Sequence, residues 1–345
     1  MIPPGSKKNS PPSKGGDSPR QGRGGFSRAA LTTPSEADTP PKTGGEFFLR
    51  NLLSEIFALC CSGYFLQNLF ITMRKIVHIS DIHFGKIDYE IVGHLKEKIG
   101  EINPHLVVVS GDLTQRARSA QFIEARAFLD SLPKPQIVVP GNHDIPLHNI
   151  YDRFLHPLDK YKRFITNDLQ PFYADAEIAV IGINTARSLT IKDGRINKEQ
   201  VAVIQSRMSG LSDEMLKVVV THHPFDLPEG YNDDDIVGRA EKAIKEITKS
   251  GADVFLAGHI HVSHVGHTAT RYKLGAGKNA LVVQAGTATS TRGRGEANSF
   301  NALEFEHPRL VVKRYECRQT ETGFVLAEAQ NFEQTDKGWK KVVNR

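Results

Sequence analysis

Along residues 73–345, short apolar runs alternate with segments whose apolar positions recur every three to four residues. Lys75–Ser80, Leu106–Ser110, Gln136–Pro140, Glu177–Asn184, Leu216–Thr221 and Asp253–Ala257 are rich in Val and Ile and too short for helices, which predicts buried strands. Asp88–Ile102, Gln121–Leu132, Lys198–Met208 and Val237–Lys249 read as helices. The alternation predicts an α/β class. After Gly275 the texture changes to short strands at Leu281–Gln284, Phe300–Glu306, Leu310–Tyr315 and Phe324–Glu328. That change predicts a second, mostly antiparallel sheet packed on the first.

Residues 1–72 differ in pattern. Positions 1–45 hold eight Pro, eight Gly and ten Ser or Thr, the composition of a segment with too little apolar surface to offset its ordering entropy. Positions 47–71 then turn apolar, with Arg50 and Glu55 as the charged residues. A membrane anchor, a signal peptide, an amphipathic helix and a non-native upstream extension before a working start at Met73 compete for this stretch. A spanning helix is near its minimum length here and carries Ser62, Gly63, Gln67 and Asn68. A signal peptide would place its apolar core nearer the N-terminus. The upstream extension is the favoured reading, so two regions are expected: a disordered leader at 1–72 and one folded domain at 73–345.

Charge then narrows the choice of partner. The whole chain carries 44 Lys+Arg against 39 Asp+Glu, which taken alone suggests a polyanion partner. The leader holds 8 against 5, leaving 36 against 34 for the rest. The near-neutral domain lacks a nucleic-acid footprint, and a small substrate is expected. Three cysteines, two of them adjacent, exclude a disulfide framework and a cysteine zinc site and fit a reducing cytoplasm.

The chemistry sits at the strand ends. Asp81, His83, Asp112, Asn142, His143, Asp144, His222, His223, His259 and His261 each follow a predicted strand. Carboxyl ends of strands form the ligand crevice of open α/β sheets. Imidazole with carboxylate and amide oxygen suits Mn, Fe or Zn rather than an all-oxygen calcium site. So many donors exceed the needs of one four-coordinate ion and suit two divalent metal ions.

The blocks DIH (81–83), GD (111–112), GNHD (141–144), THHP (221–224) and GHIH (258–261) resemble the calcineurin-like metallophosphoesterases, most closely bacterial class III cyclic-nucleotide phosphodiesterases. The resemblance implies a four-layer α/β/β/α sandwich of two mixed sheets flanked by helices. It implies that Asp81, His83 and His261 bind one metal, that Asn142, His222 and His259 bind the other, and that Asp112 bridges them. His223 would stand behind the ligands. His143 would face the phosphoryl group as proton donor, oriented by Asp144. The implied reaction is hydrolysis of a phosphodiester, such as a 3′,5′-cyclic nucleotide, by in-line attack of a metal-bridging hydroxide. A general phosphodiesterase or phosphomonoesterase, and a non-catalytic scaffold, are the alternatives. Arg116 and Arg118 are left between a phosphate contact and a solvated helix start. Glu229–Asp235 reads as an acidic surface loop, and Thr287–Arg294 as a flexible rim.

Overall fold

The computed structural model describes residues 73–343, apart from 148, 191, 276, 292–294 and 319–321. The leader, and the end of the segment expected to form a flexible rim, lie outside the described residues. In chain order the elements are β1 (Arg74–Ile79), α1 (Tyr89–Ile102), β2 (Leu106–Val109), α2 (Ser119–Ser131), β3 (Gln136–Val138), α3 (Ile150–Leu155), α4 (Asp159–Phe164), β4 (Phe172–Ala174) and β5 (Ile178–Gly182). They continue with α5 (Lys198–Met208), β6 (Leu216–Val220), α6 (Ala240–Lys249), β7 (Val254–Ala257), β8 (His264–His267), α7 (Thr268–Arg271), β9 (Leu281–Gln284), β10 (Asn298–Glu306), β11 (Arg309–Cys317), β12 (Phe324–Thr335) and β13 (Gly338–Val342).

The strands form a seven-stranded sheet, β13-β12-β11-β10-β1-β2-β3, and a six-stranded sheet, β4-β5-β6-β7-β9-β8. Each has a parallel part: β1, β2 and β3 at one end of the first sheet, and β5, β6, β7 and β9 at the centre of the second. Because side chains alternate across a strand, each apolar run feeds two cores. In β2, Leu106 and Val108 point between the sheets, where they join Val218 and Val220 of β6 and Leu256 of β7. Val107 and Val109 point outward to Leu95 and Ile99 of α1 and Phe122 of α2. On the far face Val219 and Phe255 pack with Ile204 of α5 and Ile244 and Ile247 of α6. The result is the expected α/β/β/α sandwich.

The C-terminal strands depart from expectation. They do not build a sheet of their own. Strands β10 to β13 extend the β1 sheet antiparallel, while β9 runs parallel to β7 in the other sheet. The two sheets instead divide the parallel strands that precede residue 258, with β1–β3 in one and β5–β7 in the other. Apolar alternation says that a strand has two faces, but not which neighbour it pairs with. This division aims the carboxyl ends of β1, β2 and β3 and those of β6 and β7 into one crevice.

Candidate metal centre

The turns after β1 and β2 are stitched together by backbone hydrogen bonds, Asp81 N–H to Gly111 O (3.1 Å) and His83 N–H to Asp112 O (2.9 Å). Asp81, His83, Asp112, His259 and His261 all adopt left-handed backbone, with φ between 52° and 78°. Non-glycine residues avoid this region, and such strain gathers where a site dictates the geometry. Gly111, at φ 96°, makes room for a ring: a Cβ there would lie 2.6 Å from His222 Nδ1.

The structure brings the side chains of all seven expected ligand residues together. His222 Nε2 lies 3.0 Å from Asn142 Oδ1, His259 Nδ1 lies 3.1 Å from the same oxygen, and the two nitrogens are 3.3 Å apart. Across the crevice, His83 Nε2 lies 3.1 Å from His261 Nε2, and Asp81 Oδ1 lies 3.3 Å from His261 Nε2. Donor atoms about 2.1 Å from one cation stand roughly 3.0–3.4 Å apart, so both sets come near the spacing of a coordination shell, His83 Nε2 and Asp81 Oδ1 being wider at 3.7 Å. Asp112 sits between them. Its Oδ2 is 3.4 Å from His222 Nε2 and 3.8 Å from His83 Nε2, while its Oδ1 accepts the His143 N–H at 2.8 Å.

Charge supports the same fit. Asp81 and Asp112 are fully buried, and the ion-pair partners found for them among the described residues are histidines. Burial opposes their ionisation, but the surrounding imidazoles outweigh it and hold both carboxyls below the usual range. Burial lowers the pKa of His83 to about 4 and that of His259 well below the usual value, so both rings present lone pairs. Asp81 Oδ1 is buried without a hydrogen-bond partner. Burial opposes protonation of His222, but the facing Asp112 carboxylate outweighs it and raises its pKa to about 9, so without metal one imidazolium faces two buried carboxylates. The charge still missing is what divalent cations would supply.

His223 stands behind the ligands, as the resemblance implies, whereas several other supporting groups were not legible as such. His223 does not offer a ring lone pair: its Nε2–H donates to Lys192 O and its Nδ1 accepts from the Thr185 hydroxyl, both at 2.8 Å. Asp144 does not orient His143. Its carboxylate is occupied by the backbone N–H groups of Gly141, Leu113 and Thr114 and by the Thr114 hydroxyl. Burial and Asp112 push its pKa up to about 7. The Gln115 carbonyl holds the His143 ring instead, at 3.0 Å from Nδ1. The expected flexible rim is, in its first part, an anchor. The Thr287 hydroxyl donates to Asp81 O (2.7 Å), and that of Thr289 to Ile82 O (2.9 Å). Asp235, expected on an acidic surface loop, is buried with its Oδ1 3.8 Å from His259 Nε2. Arg116 lines the cavity over the centre, together with Gln115, His143, Ile145, Leu147 and Lys192; its volume is about 410 Å³.

Known proteins bear on this geometry. Residues 74–263 match the calcineurin-like phosphoesterase family. Among curated relatives, the glycerophosphodiester phosphodiesterase GpdQ of Enterobacter lignolyticus is 25% identical over 163 residues, 44% of this chain and 58% of its own length. A probable cyclic nucleotide phosphodiesterase of Synechococcus is 26% identical over 136 residues, 39% of this chain and 46% of that protein. The chain thus spans less than two thirds of the length of these relatives. A purple acid phosphatase from yellow lupin seeds superposes with a TM-score of 0.55 at 12% identity, over 74% of this chain and 53% of its own. A dimetal phosphatase from Danio rerio gives 0.51 at 13%, over 73% and 98%. The family match covers more than half of the sequence and includes every residue of the clustered centre, so this chain belongs to the calcineurin-like phosphoesterase family.

Proposed function

We propose that the chain is a phosphodiesterase working with two divalent cations, drawn from Mn, Fe or Zn. Asp81, His83 and His261 hold one, Asn142, His222 and His259 the other, and Asp112 reaches both. The position of Asp112 Oδ2, facing a donor set on either side, is the observation that carries this reading. When bound, such a pair supplies a water of lowered pKa as nucleophile and positive charge for the phosphoryl oxygens.

The chain's own residues do the rest. Asp112 is fixed by the His143 backbone N–H, so its second oxygen stays aimed at the centre. The Gln115 carbonyl accepts from His143 Nδ1–H, which leaves the other ring nitrogen to hand a proton to the departing oxygen when the ring is charged. An alkoxide leaves poorly without that proton. Arg116 and Lys192 put positive charge on the cavity wall for an anionic substrate, and Ile145 and Leu147 give it an apolar side.

A 3′,5′-cyclic nucleotide is the first candidate substrate and a glycerophosphodiester the second. The names of the relatives favour both, and the cavity wall suits a small phosphodiester with one less polar substituent. The test is hydrolysis of bis(p-nitrophenyl) phosphate with Mn²⁺, followed by cyclic AMP, cyclic GMP, 2′,3′-cyclic nucleotides, glycerophosphodiesters and simple monoesters. Turnover of diesters above monoesters is expected. Two bound metals without turnover on any phosphoester would sink the proposal.

A further inference from the structure

His259 faces two ways. Its Nδ1 points to Asn142 Oδ1 and His222 Nε2, whereas its Nε2 is buried without a hydrogen-bond partner. The polar atom in front of Nε2 is Asp235 Oδ1, 3.8 Å away. Asp235 ends a single 3₁₀ turn, Asp233–Asp235, started by Asn232, whose side chain accepts the Asp234 N–H at 3.1 Å. The same Asp235 oxygen meets the Lys192 ammonium. The Lys192 carbonyl in turn holds the His223 ring, which packs against His259 with centroids 4.5 Å apart.

From this arrangement we infer that Asp235 is the positioning residue of His259: its carboxylate fixes the imidazole proton on Nε2 and so keeps the Nδ1 lone pair turned into the centre. A neutral imidazole can carry its proton on either nitrogen, and only the Nε2–H form offers Nδ1 as a ligand. A buried carboxylate in front of Nε2 selects that form, and a shift of well under 1 Å closes the gap to a hydrogen bond. Because Lys192 lines the substrate cavity and shares the carboxylate, ligand orientation and cavity wall hang on one residue. The assignment rests on the proposed role of His259 as a ligand.

The experiment uses the full chain and Mn²⁺ alone. In equilibrium dialysis the wild type is expected to bind two equivalents. Asp235→Ala and the isosteric Asp235→Asn should each weaken one equivalent by about 10- to 100-fold and spare the other. Asp233→Asn, on the same turn but paired with Arg271, should leave both unchanged. Unaltered binding in both Asp235 variants overturns the assignment. Equal loss in Asp233→Asn also overturns it, because the turn would then matter only for its shape. Histidine ¹H–¹⁵N NMR of the metal-free protein gives a second readout: Nε2–H at His259 in the wild type, mixed tautomers in Asp235→Asn. An unmixed ring in that variant counts against Asp235. Fewer than two equivalents in the wild type would defeat the two-cation reading, while the metal-free tautomer measurement still decides for or against Asp235.

Discussion

At the scale of single residues, Asp112 and His143 should part company under mutation. Among the described residues Asp112 is the one side chain paired with histidines of both donor sets, so Asp112→Ala is expected to lose both metal equivalents. Its activity should fall by more than the roughly 10- to 100-fold cost of an outer partner. His143 touches the centre through its backbone N–H and presents its ring to the cavity. His143→Ala should therefore keep the metals and lose about 10²–10⁴ in kcat, the usual worth of a positioned proton donor. Metal analysis beside turnover of bis(p-nitrophenyl) phosphate separates the two, and full activity in Asp112→Ala overturns its bridging place. The residues that converge in the crevice were legible because each lies beside a strand end in a recognisable block. Their supports were not. Asp144 stands next to His143 in sequence, yet a 3₁₀ turn at Asn142–Asp144 sends its carboxylate back to three backbone N–H groups. Asp235 looked like one more acid in Glu229–Asp235, because burial of one carboxylate among several leaves no mark on composition.

At the scale of elements, the turns after the parallel strands carry the site, and their glycines should behave differently from those in helices. Gly111 combines a φ of 96° with a Cβ position 2.6 Å from His222 Nδ1. Gly111→Ala is expected to cost about 1–3 kcal/mol in urea unfolding through backbone strain, and to weaken binding of the cation proposed for His222. Gly93 sits inside α1 with open space around its Cβ position. Gly93→Ala should stabilise by about 0.5–1 kcal/mol and leave metal binding alone. Equal effects of the two substitutions would contradict this account. Strands and helices of the parallel part were legible, because continuous Val and Ile runs alternate with 3.6-residue periodicity. The antiparallel part was read less well. β12 extends to Thr335, seven residues past the expected Glu328, since its outer half holds one buried apolar residue, Phe332, among exposed and half-buried polar positions and so carries little apolar signal. β13 went unseen for the same reason: of its residues only Gly338 and Trp339 are buried.

At the scale of the whole molecule, stability should fall with acid, and His78 is a principal cause. Its place on the Ile76 face of β1 puts the ring between the sheets, fully buried. Nε2 meets Ser110 Oγ at 2.8 Å and Nδ1 has no hydrogen-bond partner. Burial, opposed in part by Asp81, pushes its pKa down to about 3. The unfolded chain takes up this proton below about pH 6.5, whereas the folded chain does so only near 3. The stability contributed by neutral His78 is therefore complete above pH 6.5 and is lost as pH falls from there toward 3. Burial of His223 acts in the same direction, with its pKa lowered to about 3. Asp253, which accepts from Trp339 Nε1 and the Lys217 N–H, acts in the opposite direction. Burial raises its pKa to about 6, so the cost of keeping it ionised is present at pH 7 and fades as pH falls below 6. Comparing the wild type with His78→Gln cancels the shared groups, since both proteins carry His223 and Asp253. In urea unfolding with EDTA, the wild type's stability relative to His78→Gln should decline by up to about 1.4 kcal/mol per pH unit between pH 6.5 and 5. A difference that stays constant across that range would mean that the ring accepts a proton without unfolding, and that water reaches the space between the sheets.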